Sequence, residues 1–311
     1  MIAFGPVPSR RLGRSLGVNN IPPKTCTYAC VYCQLGTTGR MRVDRQKFYD
    51  PEELAAAVRD KVAAAREKGE SIDYLTFVPD GEPTLDINLG RHMELLRPLG
   101  IPIAVISNAS LIWREDVRSE LSGADWVSLK ADAAAEDVWR RVNRPHGRLD
   151  LEEIQEGMLA FAGGFEGTLV TETMLVRGVN DGPESLAQVA AFLQKLAPDM
   201  VYLSIPTRPP AEPGAGPPEE ETINRSFQIL SRRLDHVEYL IGYEGNAFAS
   251  TGDVKEDLLS ITSVHPMRDD AVEELLRKAG ADWSAVRSLV DRGLLVETEL
   301  EGHRFYLRKL G

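Results

Sequence analysis

Short apolar runs alternate with longer amphipathic stretches along residues 15–241. Runs rich in β-branched and aromatic residues predict buried strands, whereas apolar residues spaced three and four apart predict helices. The predicted strands are 15–18, 73–78, 101–106, 126–129, 168–176, 200–205 and 237–241. The predicted helices are 51–68, 89–96, 114–121, 134–141, 151–161, 184–196 and 219–234. Strands that alternate with helices of this length indicate β/α units on a parallel sheet.

Local signals refine some of these boundaries. Asp50 followed by Pro51 and two glutamates is a strong helix start, because aspartate caps a first turn and proline fits its first position. Residues 4–14 are rich in Gly, Pro and Arg and predict an irregular lead-in before the first strand. Residues 206–218 are dense in Pro and Gly; they follow a predicted strand and precede a predicted helix, which favours a stiff active-site lid rather than a linker.

The order of elements restricts the fold class to α/β. The right-handed crossover rule leaves an open doubly wound sheet or a barrel. A (β/α) TIM-type barrel, full or partial, is favoured because polar residues recur just after successive strands, where barrel folds build their sites. This predicted core spans residues 1–250.

From residue 251 the pattern changes. Helices are predicted at 253–261, 269–279 and 282–292, and alternating strands at 294–298 and 303–307, with a hairpin turn at Glu301-Gly302. Three helices and a hairpin predict a small winged-helix-like C-terminal domain, residues 251–311. From Asp253 onward there are nine Lys and Arg against twelve Asp and Glu. DNA binding through this domain is therefore not expected.

All three cysteines of the chain, Cys26, Cys30 and Cys33, fall within eight residues. A structural zinc site usually needs four ligands, and the first histidine is His92. A cubane iron–sulfur cluster normally takes four cysteines, so three would leave one iron open to another ligand. On spacing alone, a three-cysteine zinc loop or chance clustering stays an alternative.

The spacing C-x3-C-x2-C, with Tyr32 directly before the last cysteine, resembles the signature of the radical S-adenosylmethionine (SAM) superfamily. After the second predicted strand, Gly81-Glu82-Pro83 resembles that family's Gly-Gly-Glu-Pro motif, with Asp80 in place of the first glycine. The resemblance implies a [4Fe–4S] cluster on the three cysteines, whose open iron chelates SAM. It further implies reductive cleavage of SAM to a 5'-deoxyadenosyl radical, with a flavodoxin or ferredoxin as electron donor.

Polar residues at later strand ends complete the expected site. Ser107 and Asn108 suit a ribose or a carboxylate, or simply ordinary turn chemistry. Ser128, Lys130 and Asp132 alternate and therefore share one face; a Lys130–Asp132 pair would hold a carboxylate or form a rim salt bridge. Thr171, Glu172, Thr207 and Arg208 line the same mouth if the barrel forms, and Glu244 falls where the family has an adenine-contacting strand.

The expected roles divide into three sets. Cluster ligands are Cys26, Cys30 and Cys33. Cofactor contacts are Tyr32, Gly81, Glu82, Pro83, Ser107, Asn108 and Ser128. Catalytic side chains are Lys130, Asp132, Glu172 and Arg208, the last able to fork onto a substrate carboxylate or phosphate.

Charge and composition narrow the class of partner. The formal net charge of −11 argues against a broad nucleic-acid surface, although Arg10, Arg11 and Arg14 form either a local anion-binding patch or a solvated loop. No apolar run approaches the roughly 20 residues of a membrane span, and the first residues do not resemble a signal peptide. Reduced cysteines without an export signal predict a cytoplasmic protein.

A closer resemblance points toward the wyosine-forming tRNA enzyme group. Residues 4–14, residues 129–132 and the loop Asn143-Arg144-Pro145 are similar to that group. Its members carry further cysteines for a second cluster, and this chain has none, so one cluster is expected. The substrate stays open between a tRNA base, a peptide or protein, and a small molecule. Two other functions also fit: an iron–sulfur redox-sensing regulator acting through the winged helix, or a cluster-bearing electron carrier.

Overall fold

The computed structural model describes residues 2–38, 41–78, 80–241, 253–264, 266–300 and 302–309. Its centre is a sheet of eight strands that lie side by side in chain order. The strands are β1 (Ala3–Ser9), β2 (Gly13–Val18), β3 (Tyr74–Phe77), β4 (Ile103–Ser107), β5 (Trp126–Lys130), β6 (Thr168–Met174), β7 (Met200–Ser204) and β8 (Val237–Leu240). Strands β2 to β8 are mutually parallel, and β1 pairs antiparallel with β2.

Helices connect the parallel strands as the alternating pattern predicts. They are α1 (Pro51–Glu67), α2 (Leu89–Leu96), α3 (Glu115–Leu121), α4 (Glu136–Val142), α5 (Leu151–Ala162), α6 (Pro183–Leu196) and α7 (Glu220–Ser231). The predicted start of α1 is confirmed, because the side chain of Asp50 accepts hydrogen bonds from the backbone N–H groups of Glu52 and Glu53. The predicted strands and helices of residues 15–241 are all present, most of them shifted by one to three residues at their ends.

The lead-in at residues 4–14 is where the sequence prediction was wrong. Residues Ala3–Ser9 form the edge strand β1 rather than an irregular segment. Its prolines mask the strand in the sequence because they cannot donate hydrogen bonds, but an edge strand tolerates them on its unpaired side. Within the described ranges the strand order runs from β1 to β8 without a closing pair, consistent with a partial barrel.

Side chains alternate between two environments along the central strands. In β5, Val127 and Leu129 are fully buried in the main core beneath the helices. Trp126 points to the other face, where it forms a small apolar cluster with Leu12, Ala104 and Val170. Ala104, Trp126 and Val170 belong to the first half of their strands, so this cluster lies toward the amino-terminal end of the sheet. The polar residues nearer the carboxyl ends of the strands are therefore left to form a site.

The C-terminal segment contains three helices and a small sheet. Its elements are α8 (Val254–Val264), β9 (Met267–Arg268), α9 (Asp269–Ala279), α10 (Trp283–Asp291), β10 (Leu295–Leu300) and β11 (His303–Arg308), with sheet order β10-β11-β9. Phe4 and Val7 of β1 belong to the same apolar core as these helices. The winged-helix assignment and the boundary at residue 250 stay predictions; Glu244 and Glu301 lie outside the described residues.

None of the helices in the described ranges combines the length and the apolar character needed to cross a membrane.

Candidate functional site

A cavity of about 360 Å³ lies at the carboxyl ends of the parallel strands. Its volume is within the range of small-molecule sites. The cavity brings together most of the residues expected from the sequence: Cys26, Cys30, Tyr32, Cys33, Gly81, Glu82, Ser107, Asn108, Lys130, Glu172, Thr207 and Arg208. Four expected residues do not line it in the described structure: Pro83, Ser128, Asp132 and Thr171.

The cysteine loop is fastened to the turn that follows β3. The backbone N–H of Lys24 donates to the carbonyl of Asp80 at 2.6 Å, and the N–H of Glu82 donates to the carbonyl of Thr25 at 3.0 Å. Thr25 and Gly81 form an isolated parallel bridge. Backbone hydrogen bonds thus hold the cysteine loop against the Gly81-Glu82-Pro83 turn. The side chains of the two motifs take no part in these bonds.

The loop after α4 holds the other side of the cysteine loop. The N–H of Ala29 donates to the carbonyl of Asn143 at 3.1 Å, and that of Val31 donates to the carbonyl of Val142 at 3.0 Å. The N–H of His146 donates in return to the carbonyl of Thr27 at 2.9 Å. Backbone bonds on both sides satisfy the polar groups of an irregular segment that packs against the core.

The three thiols lie in a low-dielectric environment. Burial raises the pKa of Cys26 to about 12, and it raises the pKa values of Cys30 and Cys33 as well. Thiolates at these positions therefore need a bound cation to stabilise them, and a metal cluster supplies one. The Nδ2 atoms of Asn108 and Asn143 each lie 3.5 Å from a cysteine sulfur, that of Cys26 and of Cys30 respectively.

The donor set fits an iron–sulfur cluster, because thiolates are the ligands of such clusters and each of the three cysteines can bind a different iron. Amide N–H groups directed at the sulfurs are the surroundings that tune such clusters.

The Gly81-Glu82-Pro83 turn is packed against the cysteine loop without space for a side chain at its first residue. A Cβ atom at Gly81 would lie 1.9 Å from the carbonyl oxygen of Thr25. Glu82 is 1% exposed, and its carboxylate accepts from the Thr84 and Ser107 hydroxyls at 2.6 and 2.8 Å. The backbone N–H groups of Thr84 and Asn108 also donate to it, at 3.0 and 2.7 Å. Through these hydrogen bonds the Glu82 carboxylate connects the turn after β3 with the end of β4. Burial still raises the pKa of Glu82 despite them.

The predicted Lys130–Asp132 pair is wrong. Lys130 Nζ lies 2.7 Å from Glu172 Oε1, because the parallel register of β5 and β6 places Lys130 opposite Glu172. Asp132 lies beyond the end of β5, where its carboxylate accepts from the Tyr32 hydroxyl, from Asn143 Nδ2 at 2.7 Å and from the N–H of Met174 at 2.8 Å. The sequence alternation fails at Asp132 because the strand ends at Lys130.

Glu172 is the centre of a buried ion triad that the sequence did not reveal. Arg11 Nη1 lies 2.6 Å from its Oε2, and the Ser204 hydroxyl donates to Oε1 at 2.9 Å. Although burial raises the pKa of Glu172, Lys130 and Arg11 outweigh it and hold that pKa well below its usual range. Ser128 lies 3.4 Å from Arg11 Nη1 rather than in the cavity. The triad carries two cations and one carboxylate, so its net charge is positive.

Arg208 follows β7 and lines the cavity. Its Nη1 donates to Gln34 Oε1 at 2.7 Å, so it lies beside the cysteine loop. The same Pro-rich segment touches that loop again where the N–H of Glu212 donates to the carbonyl of Val31 at 3.0 Å. Residues 206–208 of this segment line the cavity; its action as a lid stays a prediction.

Sequence reasoning missed Asn143 and Gln34 and left Arg11 undecided. Arg11 had only the crowding of arginines as a signal. Asn143 had only its place in the loop that resembles the wyosine group. Gln34 had only its position after the last cysteine. Each acquires a role through contacts more than 100 residues away in the chain.

Asp80 has a buried carboxyl beside the site, and we expect it to make stability depend on pH. Burial raises its pKa to about 7, opposed in part by Arg308. The pKa of Asp80 is higher in the folded protein than in the unfolded chain. The stability that its protonated carboxyl provides is therefore lost as the pH rises from about 4 to 7. Asp80→Asn should therefore stabilise the protein by about 2–4 kcal/mol at pH 8 and by much less at pH 4.

Urea unfolding at the two pH values measures this difference. Asp60→Asn, on an exposed position of α1, is the matched control and should change neither value appreciably. Equal effects of Asp80→Asn at both pH values would contradict the expectation.

A partial parallel barrel with three clustered cysteines at its carboxyl edge defines a class of protein, and comparison with known proteins agrees. The family model of the radical SAM superfamily matches residues 20–193. The chain belongs to that superfamily. Membership supports SAM-dependent radical chemistry.

The relatives identify the chain more closely. A UPF0026 protein of Methanocaldococcus jannaschii is 46% identical over 311 residues, covering 99% of this chain and 96% of that protein. The chain belongs with this UPF0026 group.

Solved structures share the fold at low sequence identity. TYW1 with a lysine–pyruvate adduct bound has a TM-score of 0.55 and 16% identity, over 71% of this chain and 74% of that one. A radical SAM methyltransferase from Sphaerobacter thermophilus has a TM-score of 0.53 and 21% identity, over 73% and 67%. At these identities the likeness shows the fold alone.

Proposed function

We propose that this chain is an enzyme that binds one [4Fe–4S] cluster through Cys26, Cys30 and Cys33 and cleaves SAM reductively. One observation carries the proposal: the cysteine loop and the Gly81-Glu82-Pro83 turn are hydrogen-bonded to each other at the edge of one cavity. Cys26, Cys30 and Cys33 would hold the cluster, which would pass one electron from a flavodoxin- or ferredoxin-type donor to SAM for its cleavage to methionine and a 5'-deoxyadenosyl radical.

The turn after β3 contributes shape and backbone polarity. Gly81 allows the chain to approach Thr25 closely, and Pro83 begins a short 3-10 turn whose geometry Glu82 fixes. The cofactor role expected for Glu82 is therefore to orient the turn, since its oxygens already accept hydrogen bonds from Thr84, Ser107 and Asn108. The backbone groups of the turn are left to meet the ammonium of SAM.

Tyr32 of the cysteine loop lies against Lys130 of the ion triad. The ammonium of Lys130 lies 5.2 Å from the centre of the Tyr32 ring, within the range of a cation–π contact. The Tyr32 hydroxyl donates to Asp132, which holds the ring in place. Asp132 thus acts through Tyr32, and it is a positioning residue rather than a group that touches the reacting atoms.

The charge of the cavity indicates the class of substrate. The described lining contains four cationic side chains, Arg10, Arg11, Lys130 and Arg208, against two carboxylates, Glu82 and Glu172. Both carboxylates already accept hydrogen bonds within the protein. Arg11, Lys130 and Arg208 are half-buried and Arg10 is exposed, so basic side chains are concentrated at this cavity although the chain as a whole carries −11. We infer that the substrate presents a carboxylate or a phosphate to this cavity.

The experiment is an anaerobic turnover assay. Protein reconstituted with iron and sulfide and reduced by dithionite should release 5'-deoxyadenosine from SAM. Adding anionic candidate substrates should raise its rate more than their neutral esters or amides do. A confirmed cluster without any 5'-deoxyadenosine would reject the enzymatic proposal and favour the electron carrier. Stimulation by neutral compounds alone would reject only the anionic substrate.

A further inference from the structure

Two asparagine side chains approach two different cysteine sulfurs from opposite sides of the cysteine loop. Asn108 follows β4, and its Nδ2 lies 3.5 Å from Cys26 Sγ. Asn143 follows α4, and its Nδ2 lies 3.5 Å from Cys30 Sγ. Contacts of this length are ordinary for an N–H donor and sulfur, whose radius exceeds that of oxygen.

The orientation of the Asn108 amide follows from its neighbours. Its Oδ1 accepts from the N–H of Ser110 at 2.9 Å, which can only donate, so its NH₂ group must face the cysteine loop. One N–H of that group donates to Thr27 Oγ1 at 2.8 Å. The other is directed at Cys26. Ala109, next in the chain, has a positive φ of 64°, so this turn holds Asn108 in a tightly defined backbone conformation.

The orientation of the Asn143 amide follows from an acidic neighbour. Its Nδ2 donates to Asp132 Oδ2 at 2.7 Å, and an ionised carboxylate can only accept. The same Nδ2 atom lies 3.5 Å from both Cys30 Sγ and the Tyr32 hydroxyl oxygen, and its second N–H is available to one of them. A sulfur that carries negative charge is the stronger acceptor of the two. The backbone carbonyl of Asn143 also accepts from Ala29, so the residue cannot move away from the loop independently.

We propose that Asn108 and Asn143 set the reduction potential of the bound cluster by donating N–H hydrogen bonds to Cys26 and Cys30. The inference rests on the proposed function, since it requires the cluster on these cysteines. Adding an electron to a cluster increases the negative charge on its sulfurs. Donors directed at those sulfurs therefore stabilise the reduced form more than the oxidised form, and they raise the potential. Both asparagines are positioning residues in this role.

The two donors also link the potential to the rest of the site. Asn143 shares Asp132 with the Tyr32 hydroxyl, and the backbone of Asn108 donates to Glu82. A structural change in the loop after β4 or α4 would thus alter the reduction potential by changing a hydrogen bond to a cysteine sulfur, without changing a cluster ligand. The arrangement makes reduction easier for a donor of modest reducing power.

The test is an EPR-monitored redox titration of reconstituted protein carrying Asn143→Leu or Asn108→Leu. Leucine occupies a similar volume without an N–H. We expect each replacement to make cluster reduction about tenfold less favourable, which corresponds to about 59 mV for a one-electron couple. The double variant should shift by about the sum. If a leucine variant assembles no cluster, the alanine variant at that position is measured in its place.

Asn180 provides the matched control. It is also buried, and its Nδ2 donates at 2.8 Å to the backbone carbonyls of Asp132 and Met174, not to a cysteine. Asn180→Leu should leave the potential unchanged. An equal shift in this control, or wild-type potentials in both asparagine variants, would overturn the proposal. Failure of wild-type protein to bind a cluster would instead reject the proposed function, so the two failures are distinguishable.

Discussion

Replacing Cys30 with alanine is expected to abolish cluster assembly. Every cysteine of the chain lies in one loop, so no other thiol can replace the lost ligand. The surroundings of Cys30 also hold it in place, with Asn143 beside its sulfur and backbone bonds on both neighbouring residues. After anaerobic reconstitution, bound iron and sulfide should fall to background, and SAM cleavage should fall below detection.

Thr37→Ala is the control for this experiment. Thr37 is exposed and lies in the same segment after the cysteines, so its loss should change neither iron content nor cleavage. Retention of a full cluster by Cys30→Ala would show that Cys30 is not a ligand, and the assignment of the loop would then be wrong.

The second large effect is expected from Gly81→Ala. A Cβ at this position would lie 1.9 Å from the carbonyl oxygen and 2.7 Å from the carbonyl carbon of Thr25, both of them backbone atoms. Neither can rotate away, so the turn must separate from the cysteine loop and lose the bond from Glu82 N–H to Thr25. Overpacking of this kind costs about 1–3 kcal/mol of stability. Displacement of the SAM-facing turn by about 1 Å should also lower the cleavage rate roughly 100-fold.

Gly147→Ala is the matched glycine control. No atom lies within 4 Å of a Cβ built there, and its backbone conformation suits an L-residue. Urea unfolding and 5'-deoxyadenosine release should both match the wild type in this control. Cleavage by Gly81→Ala at half the wild-type rate or faster would show that close contact between turn and loop is not required.

Much of the fold was predictable because its signals are local. The strands of an α/β core are short apolar runs and its helices are amphipathic, so residues 15–241 can be divided correctly without tertiary information. Strand β1 was not predicted because its Gly and Pro residues are typical of a loop. Only its pairing with β2 in the folded protein makes it a strand. The signals fail where pairing, rather than periodicity, decides the structure.

The residues of the candidate site also fall into those with a local sequence signal and those placed by tertiary contacts. Cys26, Cys30, Cys33 and the Gly81-Glu82-Pro83 turn could be identified because their chemistry depends on spacing within a few residues. The partner of Lys130 could not, because it depends on which residue of β6 stands opposite it in the sheet. Arg11 and Asn143 gained their roles from segments that are distant in sequence and adjacent only after folding.

The class of fold, the three thiols and the turn beside them follow from the sequence, because each depends on residues that lie close together in the chain. Tertiary structure alone decided which charges meet: Glu172 rather than Asp132 lies against Lys130, with Arg11 on its other side. It also decided which amides face the sulfurs. Hydrogen bonds and ion pairs act over a few ångströms, whereas the residues that form them here can lie more than 100 positions apart in the chain.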